Sequence, residues 1–85
     1  MIDYSFTRHA EREFLKLPKA AQKRILLKVR EFLAGPEPLS HARKLEGVAG
    51  RVYRFRIGDY RVVFDWLGEE IVVLRVGDRK EIYRG

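Results

Sequence analysis

The sequence predicts a single α+β domain over residues 1–85, in the order β-α-α-β-β-β, with a helical hairpin packed on one face of a small, mainly antiparallel sheet. Three stretches carry that prediction. Two segments with helical spacing of apolar residues flank Leu17-Pro18, residues 51–65 alternate on either side of Gly58-Asp59, and Ile71 to Val76 is the most β-branched run in the chain.

Ile2 to Phe6 alternate, with Ile2, Tyr4 and Phe6 on one side, which suits a first strand, and Thr7 is placed to cap a helix. Ala10, Phe14 and Leu17 then recur at helical spacing, with Glu11 and Glu13 early in the segment, where the helix dipole favours acids. The residue before a proline is pushed out of the helical region, so the first helix ends at Leu17-Pro18 and a second begins at Pro18 or Lys19. In the second, Ile25, Leu26, Val29, Phe32 and Leu33 form an apolar stripe, leaving Lys19, Gln22, Lys23, Arg30 and Glu31 outward. Gly35 and two prolines, Pro36 and Pro38, stop it. Leu39 to Gly50 show no strong period and read as mostly irregular.

Gly at the first position of a two-residue loop suits a type II′ turn, which sets the register of the hairpin. Ile57 should face Tyr60, Arg56 Arg61, Phe55 Val62, Arg54 Val63 and Tyr53 Phe64. Alternation then puts Tyr53, Phe55, Ile57, Tyr60, Val62 and Phe64 on one face and Arg54, Arg56 and Arg61 on the other. Like charges directly opposite are unfavourable, by roughly 0.2–1 kcal/mol per pair, so an anion between them would relieve the strain. The competing reading is a solvated charged face. In the last strand, Val72, Leu74 and Val76 facing the core would put Ile71, Val73 and Arg75 on the arginine face.

Composition narrows the functions. Eighteen Lys and Arg against twelve Asp and Glu give a net charge of +6, which favours nucleic acid or an acidic protein partner. With no cysteine and only two histidines, far apart in sequence, neither a thiolate nor a His-based metal site is expected, and no cofactor is implied. No stretch approaches the ~18 apolar residues of a membrane span and no signal-like segment opens the chain, so a cytoplasmic protein is the expectation. Nucleophile elbows, phosphate loops and HExxH motifs are absent, the neighbours Ser40-His41 have no stereochemical reason to form a catalytic couple, and Glu69-Glu70 sit in a turn. What remains is a phosphate-directed set: Arg54, Arg56, Arg61, Arg75, Arg79 and Tyr83. Guanidinium groups clamp phosphate oxygens in pairs and stabilise charge building on them, while tyrosine stacks on a base or exchanges a proton. The same residue types suit plain single-strand binding, and they do not separate the two.

The Arg-Lys-Leu-Glu-Gly of residues 43–47, the hairpin from Tyr53 to Phe64 and the closing Val76-Gly77-Asp78-Arg79-Lys80-Glu81-Ile82-Tyr83, in this element order, resemble the RelE/ParE toxins of toxin–antitoxin pairs, over essentially the whole chain. RelE-type members of that superfamily are mRNA endoribonucleases acting in the ribosomal A site; ParE-type members poison DNA gyrase without cutting RNA. The resemblance implies a catalytic set of Arg54, Arg56, Arg61, Arg79 and Tyr83 and a metal-free attack of the RNA 2′-hydroxyl on the adjacent phosphate; Lys44 and Arg75 are further candidates for RNA contact. Arg54, Arg56 and Arg61 would hold the phosphate, Arg79 would stabilise charge or protonate the leaving 5′-oxygen, and Tyr83 would stack on or activate the nucleotide. It also implies a cognate antitoxin in a hetero-oligomer with the toxin, for which the apolar residues Val63, Ile71 and Val73 would be exposed. Two departures matter. The well-studied RelE type has lysines where this chain has Arg54 and Arg56, and a guanidinium with a pKa above ~12 is a poor general base. Proton removal would then fall to Tyr83, a neighbouring RNA group or a ribosomal component. The tail beyond Tyr83 is also short.

Overall fold

A computed structural model of the chain describes residues 2–45, 50–78 and 80. Strand β1 (Asp3–Phe6) leads into helix α1 (Arg8–Leu15) and helix α2 (Lys19–Ala34); a 3-10 turn (Pro38–His41) precedes β2 (Ala42–Lys44), β3 (Val52–Ile57), β4 (Tyr60–Trp66) and β5 (Glu70–Asp78). The five strands form one sheet in the order β1-β5-β4-β3-β2, parallel only between β1 and β5. The expected architecture is therefore present, with one strand more than expected. Residues 42–44 are too short to show a period of two, and they are a strand because their partner β3 is already in place beside them.

The local signals act as the residue types dictate. Thr7 Oγ1 accepts from the Ala10 amide at 3.1 Å and caps α1. Pro18 stands at the N-cap of α2, whose buried face is Ala21, Gln22, Ile25, Val29 and Leu33. Gln22 is thus inward and not outward as its polarity suggests. Its Nε2 donates to the carbonyl oxygens of Leu15 at 3.3 Å and Leu17 at 2.9 Å. Those carbonyls end α1, where intrahelical partners run out, so a buried amide is satisfied by closing the helix hairpin.

Ala10 and Phe14 of α1 and Ile25, Val29 and Leu33 of α2 pack on Phe55, Ile57, Val62, Phe64, Ile71, Val73 and Val76 of the sheet. The β3–β4 register is the one read from the turn, Ile57 with Tyr60 through Tyr53 with Phe64. Gly58 has φ +61°, and no non-glycine residue among those described has positive φ, as a type II′ turn requires.

Strand β5 departs from expectation. Its register with β4 shifts between Val63 and Phe64: Phe64 faces Val73, but Val63 faces Arg75, so Leu74 is an extra residue without an opposite. Such a bulge advances the alternation by one. Ile71 and Val73 are therefore core residues before it and Val76 after it, all within 1% exposure, while Val72 and Leu74 are not in the core cluster. Val63, Ile71 and Val73, expected as an exposed apolar surface for a partner, are buried.

The bulge lies where β5 loses its neighbour. β1 pairs only as far as Val73, whose carbonyl takes the Thr7 amide at 3.0 Å. Beyond that point α1 lies along the edge of β5, and Glu13 replaces the missing strand. Its Oε1 accepts the Val76 amide at 3.0 Å, and its two oxygens accept Nε and Nη2 of Arg75 at 3.1 to 3.2 Å. Burial pushes the Glu13 carboxyl up, but the hydrogen bonds from Arg75 and Val76 and the charges of Arg75 and His9 outweigh it, holding the group below the ordinary glutamate range.

Candidate functional site

The face of the sheet opposite the helices is set by register. Arg54 stands between Arg43 of β2 and Val63 of β4, and Arg56 stands opposite Arg61. Cross-strand partners share a face, so Arg43, Arg54, Arg56 and Arg61 are neighbours on it. Arg43 is the residue that sequence reading passed over. It opens the 43–47 motif, but the stretch has no period to give it a face, and its pairing with Arg54 brings it to the site.

The four are not equivalent. Arg43 and Arg56 are exposed and Arg54 is half-buried. Arg61 is 5% exposed, and its Nη1 donates to the carbonyl oxygens of Tyr60 at 3.1 Å and Gly58 at 3.4 Å. A guanidinium stays charged even when packed down in this way, because its intrinsic pKa is so high. Arg61 thus adds positive potential beside Arg56 and braces the turn that ends the hairpin. At the β2–β3 edge the face dips into a groove of about 260 Å3 lined by Ser40, His41, Ala42, Arg43, Arg54 and Arg56.

Two expected RNA contacts stand elsewhere. Lys44 is opposite Tyr53, so alternation assigns it to the other face from Arg43 and Arg54. Arg75 is on the arginine side in register, opposite Val63, but its guanidinium is engaged by Glu13. That makes it a fastener between α1 and β5. Arg79 and Tyr83, like Glu46 and Gly47 of the 43–47 motif, lie outside the described residues. Among the described residues no group of three or more His, Cys, Asp or Glu is arranged to hold a metal ion, and no helix is long and apolar enough to cross a membrane.

This arrangement can bind an anion with extended, repeating charge. It presents guanidinium groups on three adjacent strands, β2, β3 and β4.

Comparison with known proteins fits this geometry. The family model for the ParE toxin of type II toxin–antitoxin systems, parDE, matches residues 4–83. No curated protein matches. Among solved structures, the RelBE2 toxin–antitoxin complex from Mycobacterium tuberculosis contains a chain 34% identical to this one, with a TM-score of 0.68 over 92% of this chain and 91% of that chain. A chain of the archaeal RelE–RelB complex from Pyrococcus horikoshii is 30% identical, with a TM-score of 0.68 over 99% and 98%. The isolated RelE toxin of E. coli is 26% identical and superposes with a TM-score of 0.74 over 98% and 92%. With its helix hairpin on a five-stranded mixed sheet and its match over nearly the full length, the chain belongs to the RelE/ParE superfamily and is the toxin of a type II toxin–antitoxin pair.

Proposed function

We propose that this toxin is a metal-independent endoribonuclease that cleaves mRNA in the ribosomal A site, acting in the cytoplasm and silenced by a cognate antitoxin bound to it. The observation that carries the reading is the cluster of Arg43, Arg54, Arg56 and Arg61 on the face of the sheet opposite the helices. The similarity to chains of RelE–RelB complexes at 30 to 34% identity supports it. In the reaction the 2′-oxygen bonds to the adjacent phosphorus as the bond to the 5′-oxygen breaks, leaving a cyclic phosphate and a free 5′-hydroxyl. One proton leaves the 2′-hydroxyl and one joins the departing oxygen. Negative charge gathers on the phosphate oxygens, and preorganised guanidinium groups favour that state over the ground state. Arg54 and Arg56 hold the phosphate, with Arg61 adding charge beside Arg56. Arg79 and Tyr83 are assigned to proton movement and base contact by the resemblance of their sequence context.

A second reading is favoured by one finding, the ParE name of the matching family model. In that reading the protein blocks DNA gyrase and cuts nothing, and the arginine face binds an acidic surface. Programmed ribosomes separate the two. The wild type should cut the mRNA in the A site, and Arg56→Ala and Tyr83→Phe should each slow cutting by about 100-fold or more. Intact mRNA together with blocked gyrase supercoiling would overturn the ribonuclease reading, and intact mRNA with unimpaired supercoiling would leave a plain nucleic-acid-binding module.

A further inference from the structure

Beside the arginines, the groove at the β2–β3 edge contains an aromatic surface with an unusual foundation. The rings of Phe64 and Phe55 lie 4.5 Å apart in the core, Phe55 and Phe32 4.9 Å apart, and Phe32 and His41 4.4 Å apart with planes inclined by only 14°. His41 is thus the outer end of an aromatic column that runs through the core cluster, with one ring face held by Phe32. It is an exposed residue and it lines the groove with Arg43, Arg54 and Arg56. An imidazole held flat in this way has little orientation left to lose, which is the condition for a good stacking platform.

The charges around it are spaced in a regular way. Arg54 and Arg56 are two residues apart on β3, about 6.6 Å along the strand, and each has a cationic partner about 5 Å across the sheet, Arg43 for Arg54 and Arg61 for Arg56. Two positive pairs one strand repeat apart are matched to neighbouring phosphates of one strand better than to a single anion. We infer that the groove is a second nucleotide site: Arg43 holds the phosphate next to the scissile one, Arg54 is shared between the two phosphates, and the base of the second nucleotide stacks on the outer face of His41. The inference rests on the ribonuclease reading of the same face and extends it to a dinucleotide-sized footprint. Single-stranded RNA, whose bases are free to splay and stack, is the ligand this combination fits.

Binding of a fluorescent six-nucleotide RNA with 2′-O-methyl riboses tests this without cleavage intervening. Arg43→Ala should weaken binding about tenfold and lower the salt slope by about 0.7, the share of one single-strand phosphate contact. His41→Ala should weaken it about tenfold, while His41→Phe, which keeps a flat ring on Phe32, should stay within about twofold of the wild type. Lys23→Ala, an exposed position on α2, should behave like the wild type. With a hexamer lacking the base that occupies the groove, His41→Ala and the wild type should bind alike, which excludes a mere folding defect. The inference is overturned if the wild type does not bind the hexamer, or if Arg43→Ala and His41→Ala bind as the wild type does. The expected hexamer results with uncut mRNA on programmed ribosomes would overturn the ribonuclease reading and leave the two-phosphate site standing. Cut mRNA with unaltered cutting in both variants would do the reverse.

Discussion

The two faces of the β3–β4 hairpin are made from alternate residues of the same strands and face opposite demands. On one, Phe55, Val62 and Phe64 are fully buried beneath the helices. On the other, Arg56 is exposed, Arg54 is half-buried, and both stand opposite a further arginine. The apolar face supplies the free energy that keeps the hairpin in register, and the register then forces the arginines together. The difference teaches that a like-charge cluster can be maintained against its own repulsion when its positions are fixed from the other side of the sheet. Stability and anion binding are thereby assigned to separate side chains, which substitutions can test.

The largest effect should come from the apolar face. Phe55→Ala removes a fully buried ring in contact with Phe32 and Phe64 and should cost about 3–5 kcal/mol in urea denaturation, a large part of the stability of a domain this size. Next is the edge of β5. Glu13→Ala leaves the Val76 amide and Arg75 without their acceptor and should cost about 2–3 kcal/mol. The pH dependence has a definite sign. The Glu13 carboxyl is lowered in the folded chain, so its contribution is complete above the ordinary glutamate pKa of about 4.3 and is lost as pH falls through the lowered folded value. The stability gap between the wild type and Glu13→Gln should therefore be widest near neutral pH and close in acid.

A smaller effect belongs to the turn that joins the two faces. Gly58→Ala puts a Cβ on a residue at φ +61° and within 2.9 Å of the Arg24 guanidinium, and should cost about 1–2 kcal/mol. The long Arg24 side chain can swing away, so the backbone term should dominate, and Gly58→Asn, better suited to positive φ, should recover part of the loss. The smallest belongs to the arginine face: Arg56→Ala should change the denaturation midpoint by no more than about 0.5 kcal/mol equivalent. A gain in stability there would show that relief of repulsion is measurable. A loss as large as that of Phe55→Ala would end the separation between the faces.

The hairpin was legible in the sequence because Gly58-Asp59 fixes the turn and strict alternation fixes everything counted outward from it. The helix hairpin was legible for the same kind of reason, a proline after Leu17 and a cap at Thr7. Three features were not. Gln22 reads as a surface residue until the end of α1 is seen beside it. Ala42 to Lys44 read as loop because three residues carry no period. The bulge at Leu74 is invisible because its neighbours Val72, Val73 and Leu74 are all apolar, so a shift of one residue leaves the pattern equally hydrophobic. The consequences for the site follow directly. Pairing with β2 brings Arg43 beside Arg54, Lys44 stands on the other face from them, and Arg75 is engaged by Glu13 between α1 and β5.

By itself the sequence determined every element but β2, and the arginine face of the hairpin, since turn chemistry and alternation act over neighbouring residues and need no partner. Only the tertiary structure decided which arginines are available. Pairing with β2 added Arg43, Arg61 is buried with its Nη1 on the turn carbonyls, and the end of β1 left an edge that Glu13 filled by taking Arg75. Each of those outcomes depends on what lies beside a residue in space, and a local pattern carries no record of it.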